Sequence, residues 1–484
     1  MTRTAVLASA AVLVGHVFAA GQVPPAGQGA PPPAAQQLAR DIFKELIEIN
    51  TTESSGDVTM AAEAMAARLR AGGFPAADVQ VLGPVPRKGN LVARLRGTGK
   101  GRPILLLAHL DVVEARREDW SFDPFTFLER DGYFYGRGTA DIKSGAAVLV
   151  ADLIRLRQEG FRPDRDLIVA LTADEEGGNA NGPDWLLRAH RELVDAEYCL
   201  NTDGGNGEIR KGRRIANELQ TSEKVYLSFR LETKNPGGHS SLPVKDNAIY
   251  GLADGLARLA RFDFPVKLNE TTRGFFEKMA ATEHGDLARD MKAVAGTPMD
   301  RAAASRLSAA SPYFNAMLRT TCVATGLEAG HAENALPQTA RAVVNCRILP
   351  GESPQDVRQT LVKVLADDKI SVTPIAAPFL SPMSPLRPDV VSAVERVTAD
   401  MWPGVPAVPM MSTGASDGIH FRAAGIPVFG VSGLFDDVDD VRAHGRDERL
   451  GVQAFYEGVE FMYRLVKVLA SPVGTRSPLP GSER

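Results

Sequence analysis

A chain of 484 residues is long enough for several domains and at least one large core. With 44% apolar and 24% charged residues, its composition is that of an ordinary soluble globular protein. A net charge of −4 gives no basic footprint for nucleic acid, so that class of partner is excluded.

Arg3 supplies a short positive region, Ala5–Phe18 is an apolar run, and Val17-Phe18-Ala19 or the small residues after it offer a cleavage site. Residues 1–20 therefore read as an export signal and 21–36 as a Pro/Ala/Gln-rich linker. No Cys follows the apolar run to carry a lipid, and no later stretch reaches the ~20 apolar residues that span a bilayer. The expected product is exported, periplasmic or secreted, without a stable membrane anchor. Cys199, Cys322 and Cys346 leave one thiol unpaired at best and lack zinc-ribbon spacing, so all three are expected to be inert core residues.

Apolar residues fall at helical spacing over Gln36–Glu48, and Thr59–Ala71 is a second, Ala-rich helix ending at Gly72-Gly73. Asn90–Leu95 and Pro103–Ala108 read as strands, the latter an apolar run that delivers His109 and Asp111. The turn GRGTAD presents Asp141 ahead of a helix running to Arg157. Leu167–Thr172 is a buried strand followed by Asp174-Glu175-Glu176. After a helix at Trp185–His190, Tyr198–Asn201 is a strand followed by Asp203-Gly204-Gly205. Strands alternating with helices predict a doubly wound α/β layer, with acids at the strand ends where such sheets bind ligands.

The pattern then changes. Lys224–Lys234 alternates like a half-exposed strand, Asn247–Ala260 is an amphipathic helix, and Cys322–Leu327 and Thr339–Leu349 are strands. Pro354–Asp367 (helix) and Ile370–Ile375 (strand) complete a β-α-β-β-α-β order, which predicts an inserted ferredoxin-like α+β domain. A largely helical insert, 264–315, interrupts it. A helix over Val390–Met401, a Pro-rich turn, the loop MSTGASDGIHF, the strand Pro427–Gly430 and a closing helix at Val452–Leu469 restore the α/β texture. The expected organisation is catalytic domain at 37–218, inserted lid and dimerisation domain at 219–380, catalytic domain again at 381–470, and a disordered tail at 471–484.

The candidate chemistry lies in His109, Asp111, Asp141, Glu175, Glu176, Asp203, His239 and His444. Each alone is unremarkable, but several follow strands on one side of one sheet. Imidazole and carboxylate donors suit zinc and similar divalent ions. Adjacent Glu175 and Glu176 cannot both point the same way, so one can bind metal while the other moves a proton.

Together HLDVV, WSFDPF, DGYFYGRGTADIKSG, TADEEGG, TDGG, GGHSS, NALP and RAHG resemble the aminoacylase/carboxypeptidase family of co-catalytic zinc hydrolases, over about 37–469. The resemblance implies two divalent metal ions, zinc first, with cobalt or manganese as alternatives. Asp141 would bridge them. His109 and Asp203 would complete one site, and Glu176 and His444 the other. Glu175 would be the general base that activates the bridging water to the metal-bound hydroxide and later protonates the leaving amine, and Asp111 would orient His109. His239 would stabilise the oxyanion, in relatives often from a partner subunit, which implies a homodimer. Asn334, Arg347 and Gly414 match positions that contact substrate. Glutamate-releasing relatives carry a further arginine where this chain reads PIAAPFLSPMS (374–384), so strict glutamate specificity is not expected. The insert 264–315 suggests either a wall for apolar substrate parts or a packing or dimer-supporting element.

The leading expectation is an exported dinuclear-metal hydrolase that cleaves the amide of small peptides or N-acyl amino acids beside a free carboxylate. The alternatives are a metal-dependent dipeptidase acting on unblocked dipeptides and a non-catalytic binding protein of the same fold.

Overall fold

The apolar run at 104–109 is a strand buried on both faces, which is why its hydrophobicity is continuous and not alternating. The computed structural model describes residues 29–471, so the expected export signal, the first half of the linker and nearly all of the tail lie outside the described residues. Ile104–His109 lies inside a sheet of ten strands, parallel to both Leu167–Thr172 and Tyr198–Asn201. Antiparallel strands Asn90–Leu95 and Val79–Leu82 extend one side. Val428–Gly430, Arg213–Glu223, Gly207–Arg210 and Phe435–Asp437 extend the other, with Ala407–Ser412 parallel to Arg213–Glu223.

Alternate residues of the central strand serve opposite layers. Leu106 and Ala108 join the core under helices Pro33–Glu48, Lys143–Gln158 and Val452–Ala470, while Leu105 and Leu107 pack with Leu186 and Phe421. The doubly wound arrangement is therefore present. The first helix starts at Pro33 instead of Gln36, with proline in its first turn, where a missing N–H costs nothing. Its C-terminal carbonyls are held by the buried Lys143, whose Nζ donates to Leu46 O at 2.9 Å and Ile49 O at 2.7 Å. Burial brings that ammonium down to about 7.

Between Glu223 and Val225 the chain passes from the large sheet into a second, antiparallel sheet. Its order is Thr321–Ala329, Thr339–Ile348, Val225–Lys234, Ser371–Pro374, the ferredoxin-like sequence of strands. Helices Ala248–Leu259 and Pro354–Leu365 cover one face, burying Leu227, Phe229, Leu231, Leu252 and Leu361. Tyr226, Ser228, Val343 and Arg347 occupy the other face, outside the core that these two helices form with the sheet. Cys322 and Cys346 stand opposite each other across two of these strands and form a disulfide. This corrects the expectation of three inert thiols. Strand register, which spacing does not report, brings the two together. Cys199 alone stays free and buried.

The insert forms helices Glu270–Met279, Gly285–Ala295, Arg301–Ala310 and Pro312–Leu318. Its apolar residues, among them Phe275, Phe276, Met279 and Met317, pack with Ala216, Val408 and Met411 at the outer strands of the large sheet. Of the two readings of 264–315, this favours the packing element, because its Phe and Met side chains are consumed in a core. The strand Ala407–Ser412 they cover replaces part of the expected Pro-rich turn.

One buried acid has no visible compensation. Asp152, within Lys143–Gln158, is 3% exposed, and neither carboxylate oxygen meets a hydrogen-bond partner among the described residues. Burial holds it well above the ordinary carboxylate range. In the unfolded chain it ionises near pH 4 while the folded chain keeps its proton, so stability falls as pH rises above that value toward the raised folded-state value. Asp152→Asn should therefore stabilise the fold by about 1–3 kcal/mol at pH 7, with the gain shrinking toward pH 4. Urea unfolding at the two pH values checks this; an equal or greater gain at pH 4 would contradict it.

Candidate metal centre

Three parallel strands end side by side and bring the acids together. His109 is the last residue of its strand, Glu175 and Glu176 follow Thr172, and Asp203 follows Asn201. Asp141 arrives from the GRGTAD turn, where Gly136 has φ +147° and a Cβ would lie 2.4 Å from Ile47, so only glycine fits. His444 comes from the late acidic loop, itself at φ +62°.

The aspartate lies between the two histidines. Its Oδ1 is 3.1 Å from His109 Nε2, and its Oδ2 is 3.0 Å from His444 Nε2. His444 Nε2 also lies 2.9 Å from Glu176 Oε1. Donor atoms of His109, Asp141 and Asp203 lie within 4.8 Å of one another, as do those of Asp141, Glu176 and His444. The two groups share Asp141. A third close group joins His109 with Glu175 and Glu176.

Asp111 behaves differently from the expectation. His109 Nδ1 meets its backbone carbonyl at 3.0 Å, while its carboxylate is 3.7 Å away. That carboxylate instead accepts the N–H groups of Glu175 at 3.2 Å and Glu176 at 2.9 Å, and so fixes the turn that carries both glutamates.

Charge crowding is severe. Burial, reinforced by Asp203, Asp417 and Glu176, pushes Glu175 up to about 10. Burial, with Asp141 and Asp417 adding to it, takes Asp203 to about 8. Burial would also raise Asp141, but hydrogen bonds from the two histidines hold it well below the usual carboxylate range. Bonds to Asp141 and Glu176 raise His444 to about 10. A cluster with five carboxylates, two imidazoles and no thiolate is short of positive charge, and its donor set fits divalent cations of the zinc, cobalt or manganese type.

Several acids outside the expected set support it. Glu448, fully buried, accepts the N–H of Ala140 at 2.7 Å and of Asp141 at 3.1 Å, and pairs with Arg137 at 2.6 Å. Asp417 accepts from Thr172 Oγ1 at 2.6 Å and Asn181 Nδ2 at 2.9 Å. Glu223 binds Ser416 and Arg422. Only the DG dipeptide Asp417-Gly418 carried any sequence signal, and it reads as a turn.

The remaining candidates sit apart from this cluster. His239 is exposed on a short ribbon, Gly238–His239 against Ala335–Leu336, with Nδ1 2.7 Å from Ser241 Oγ. Asn334 lies beside it, its carbonyl accepting the N–H of Ser240. No hydrogen bond or ion pair among the described residues links either to the cluster around Asp141. Arg347 stacks on Tyr226 at 4.7 Å on the open face of the smaller sheet. Gly414 sits in the loop after Ala407–Ser412, its N–H donating to Ser412 Oγ at 3.0 Å. A cleft of about 820 Å³ reaches Asp141 and Asp203 and runs past Ala415 and Ser416.

Comparison with known proteins agrees with this geometry. The profile described as "Peptidase family M20/M25/M40" matches residues 105–468. The human N-fatty-acyl-amino acid synthase/hydrolase PM20D1 is 28% identical over 373 residues, covering 76% of this chain and 74% of its own. A probable carboxypeptidase S-like 2 from Dictyostelium discoideum is 27% identical, covering 76% and 71%. Among solved structures, the metallo-carboxypeptidase Sso-CP2 from Sulfolobus solfataricus superposes with a TM-score of 0.65 at 18% identity, over 89% of this chain and 99% of that one.

Proposed function

The chain belongs to peptidase family M20/M25/M40, and from that premise we propose that it hydrolyses the amide of N-acyl amino acids or small peptides beside a free carboxylate. Asp141 offering one oxygen to each histidine is the observation that carries the reading. His109, Asp203 and Asp141 would hold one ion, and Glu176, His444 and Asp141 the other, zinc in the first instance. When bound, the pair would polarise the scissile carbonyl and acidify a water.

The chain's own residues supply the rest. Glu176 is engaged by His444, whereas the carboxylate of Glu175 forms no hydrogen bond or ion pair among the described residues. Glu175 is thus the group left to take the water's proton and return it to the leaving nitrogen. Asp111 holds the backbone of both glutamates, so acid and ligand keep fixed positions. His239 would stabilise the oxyanion from a partner subunit. The smaller sheet supports a homodimer: its edge strand Thr321–Ala329 exposes Val323 and Leu327. The disulfide fits an exported chain, since such bonds persist in oxidising compartments. No helix among the described residues is long and apolar enough to cross a membrane.

The preference for a carboxylate-bearing substrate rests on Arg347, which pairs with no acid among the described residues. Purified chain with added zinc should release amine from N-acetyl amino acids and lose that activity when the carboxylate is amidated. Activity restricted to unblocked dipeptides would favour a dipeptidase, and turnover of neither would remove the proposal.

A further inference from the structure

We propose that an apolar groove on the open face of the smaller sheet receives the side chain of the released amino acid, selecting large apolar residues. The proposal rests on the reading above and adds what it leaves open, the class of amino acid. The groove measures about 430 Å³ and is lined by Tyr226, Val343, Ile375, Phe379, Ala415 and Ile419.

Position ties it to the chemistry. Ala415 lines both this groove and the cleft that reaches Asp141 and Asp203, so the two meet at that residue. Tyr226 forms a groove wall and carries the Arg347 guanidinium 4.7 Å above its ring. A carboxylate held by Arg347 has its own side chain one bond from the α-carbon, and the adjacent wall is Tyr226. The groove is therefore on the side of the released amino acid, not of the acyl group.

Its chemistry then names the class. The charged residues at its margin are already engaged: Glu223 by Arg422 and Ser416, Lys224 by the carbonyl of Arg319. Neither is left for an acidic or basic side chain, and a charge entering unpaired would be desolvated without return. The segment 374–384, free of basic residues, contributes Ile375 and Phe379 instead. Phe379 is 43% exposed and Tyr226 54% exposed, apolar surface that an apolar side chain would cover.

The test is a series of N-acetyl amino acids with one acyl group, assayed with zinc-loaded full-length chain. N-acetylphenylalanine should exceed N-acetylglutamate in kcat/KM by about 100-fold or more. Phe379→Ala should lower the phenylalanine-to-glycine ratio by about 10-fold. Phe379→Arg should shift preference toward the glutamate substrate. Circular dichroism establishes folding of each variant, and titration of N-acetylphenylalanine into Glu175→Gln and Glu175→Gln/Phe379→Ala reads the contact without turnover. If either Phe379 variant misfolds, Ile419→Ala takes its place in both assays. Hydrolysis with a flat side-chain profile would overturn the groove assignment alone. A Phe379 effect that follows acyl length instead of the side chain would also overturn it. No hydrolysis of any member would remove the underlying reading with it.

Discussion

Replacing Glu175 by Gln should lower kcat by about 10²–10⁴-fold while the chain keeps its full complement of metal. The expectation comes from the division of labour between two adjacent acids. Glu176 is committed to His444, and Asp111 pins the backbone of both residues. Glu175 is left buried with its own oxygens unengaged among the described residues, and burial, reinforced by the neighbouring carboxylates, raises its proton affinity above the ordinary carboxylate range. Glutamine keeps the volume and removes only the capacity to accept a proton. Kinetics and elemental analysis on the same preparation decide the matter. Wild-type kcat would show that another group is the base. Parallel loss of metal would show that Glu175 is a ligand, as its proximity to His109 and Glu176 also permits.

How much of this centre was legible follows from what kind of signal each residue gives. His109 ends, and Glu175, Glu176 and Asp203 follow, short apolar runs bounded by turn signals that read as buried strands, and buried parallel strands deliver their ends to one place. The residue types there, set on those ends, are enough to suggest a metal site. Their pairing through Asp141 was implied by resemblance alone, because the GRGTAD turn and the loop bearing His444 are brought together by tertiary packing. Asp111 shows the limit of reading a motif: its place beside His109 was readable, but backbone geometry decides that the carbonyl, and not the carboxylate, meets the imidazole. The strand Ala407–Ser412 was hidden by Pro406 and Pro409, tolerated where, among the described residues, the strand pairs on one side alone, with Arg213–Glu223. The disulfide was hidden because a spacing of 24 residues acquires meaning only from strand register.

Glu448 is the most consequential residue without a sequence signature, since an acid between two arginines in a charged loop reads as solvated surface. It is instead fully buried, and Glu448→Ala should destabilise the fold by about 3–5 kcal/mol. The variant would leave the Arg137 guanidinium, buried over Trp120, without its counter-charge. It would also strip the acceptor from the N–H groups of Ala140 and Asp141. Those N–H groups set the direction from which Asp141 faces the two histidines, so metal affinity should fall as well, by about 10–100-fold. Glu448→Gln separates the two effects. It retains one oxygen for the backbone N–H groups but lacks the charge that Arg137 needs, so stability should fall further than metal affinity. Chemical denaturation of the metal-free chain and zinc titration of the folded chain measure each quantity independently. Near-native values of both for Glu448→Gln would mean that the loop is held by its own turn and by Arg137 contacts to the carbonyls of Glu114 and His444, and that Glu448 is dispensable to the centre.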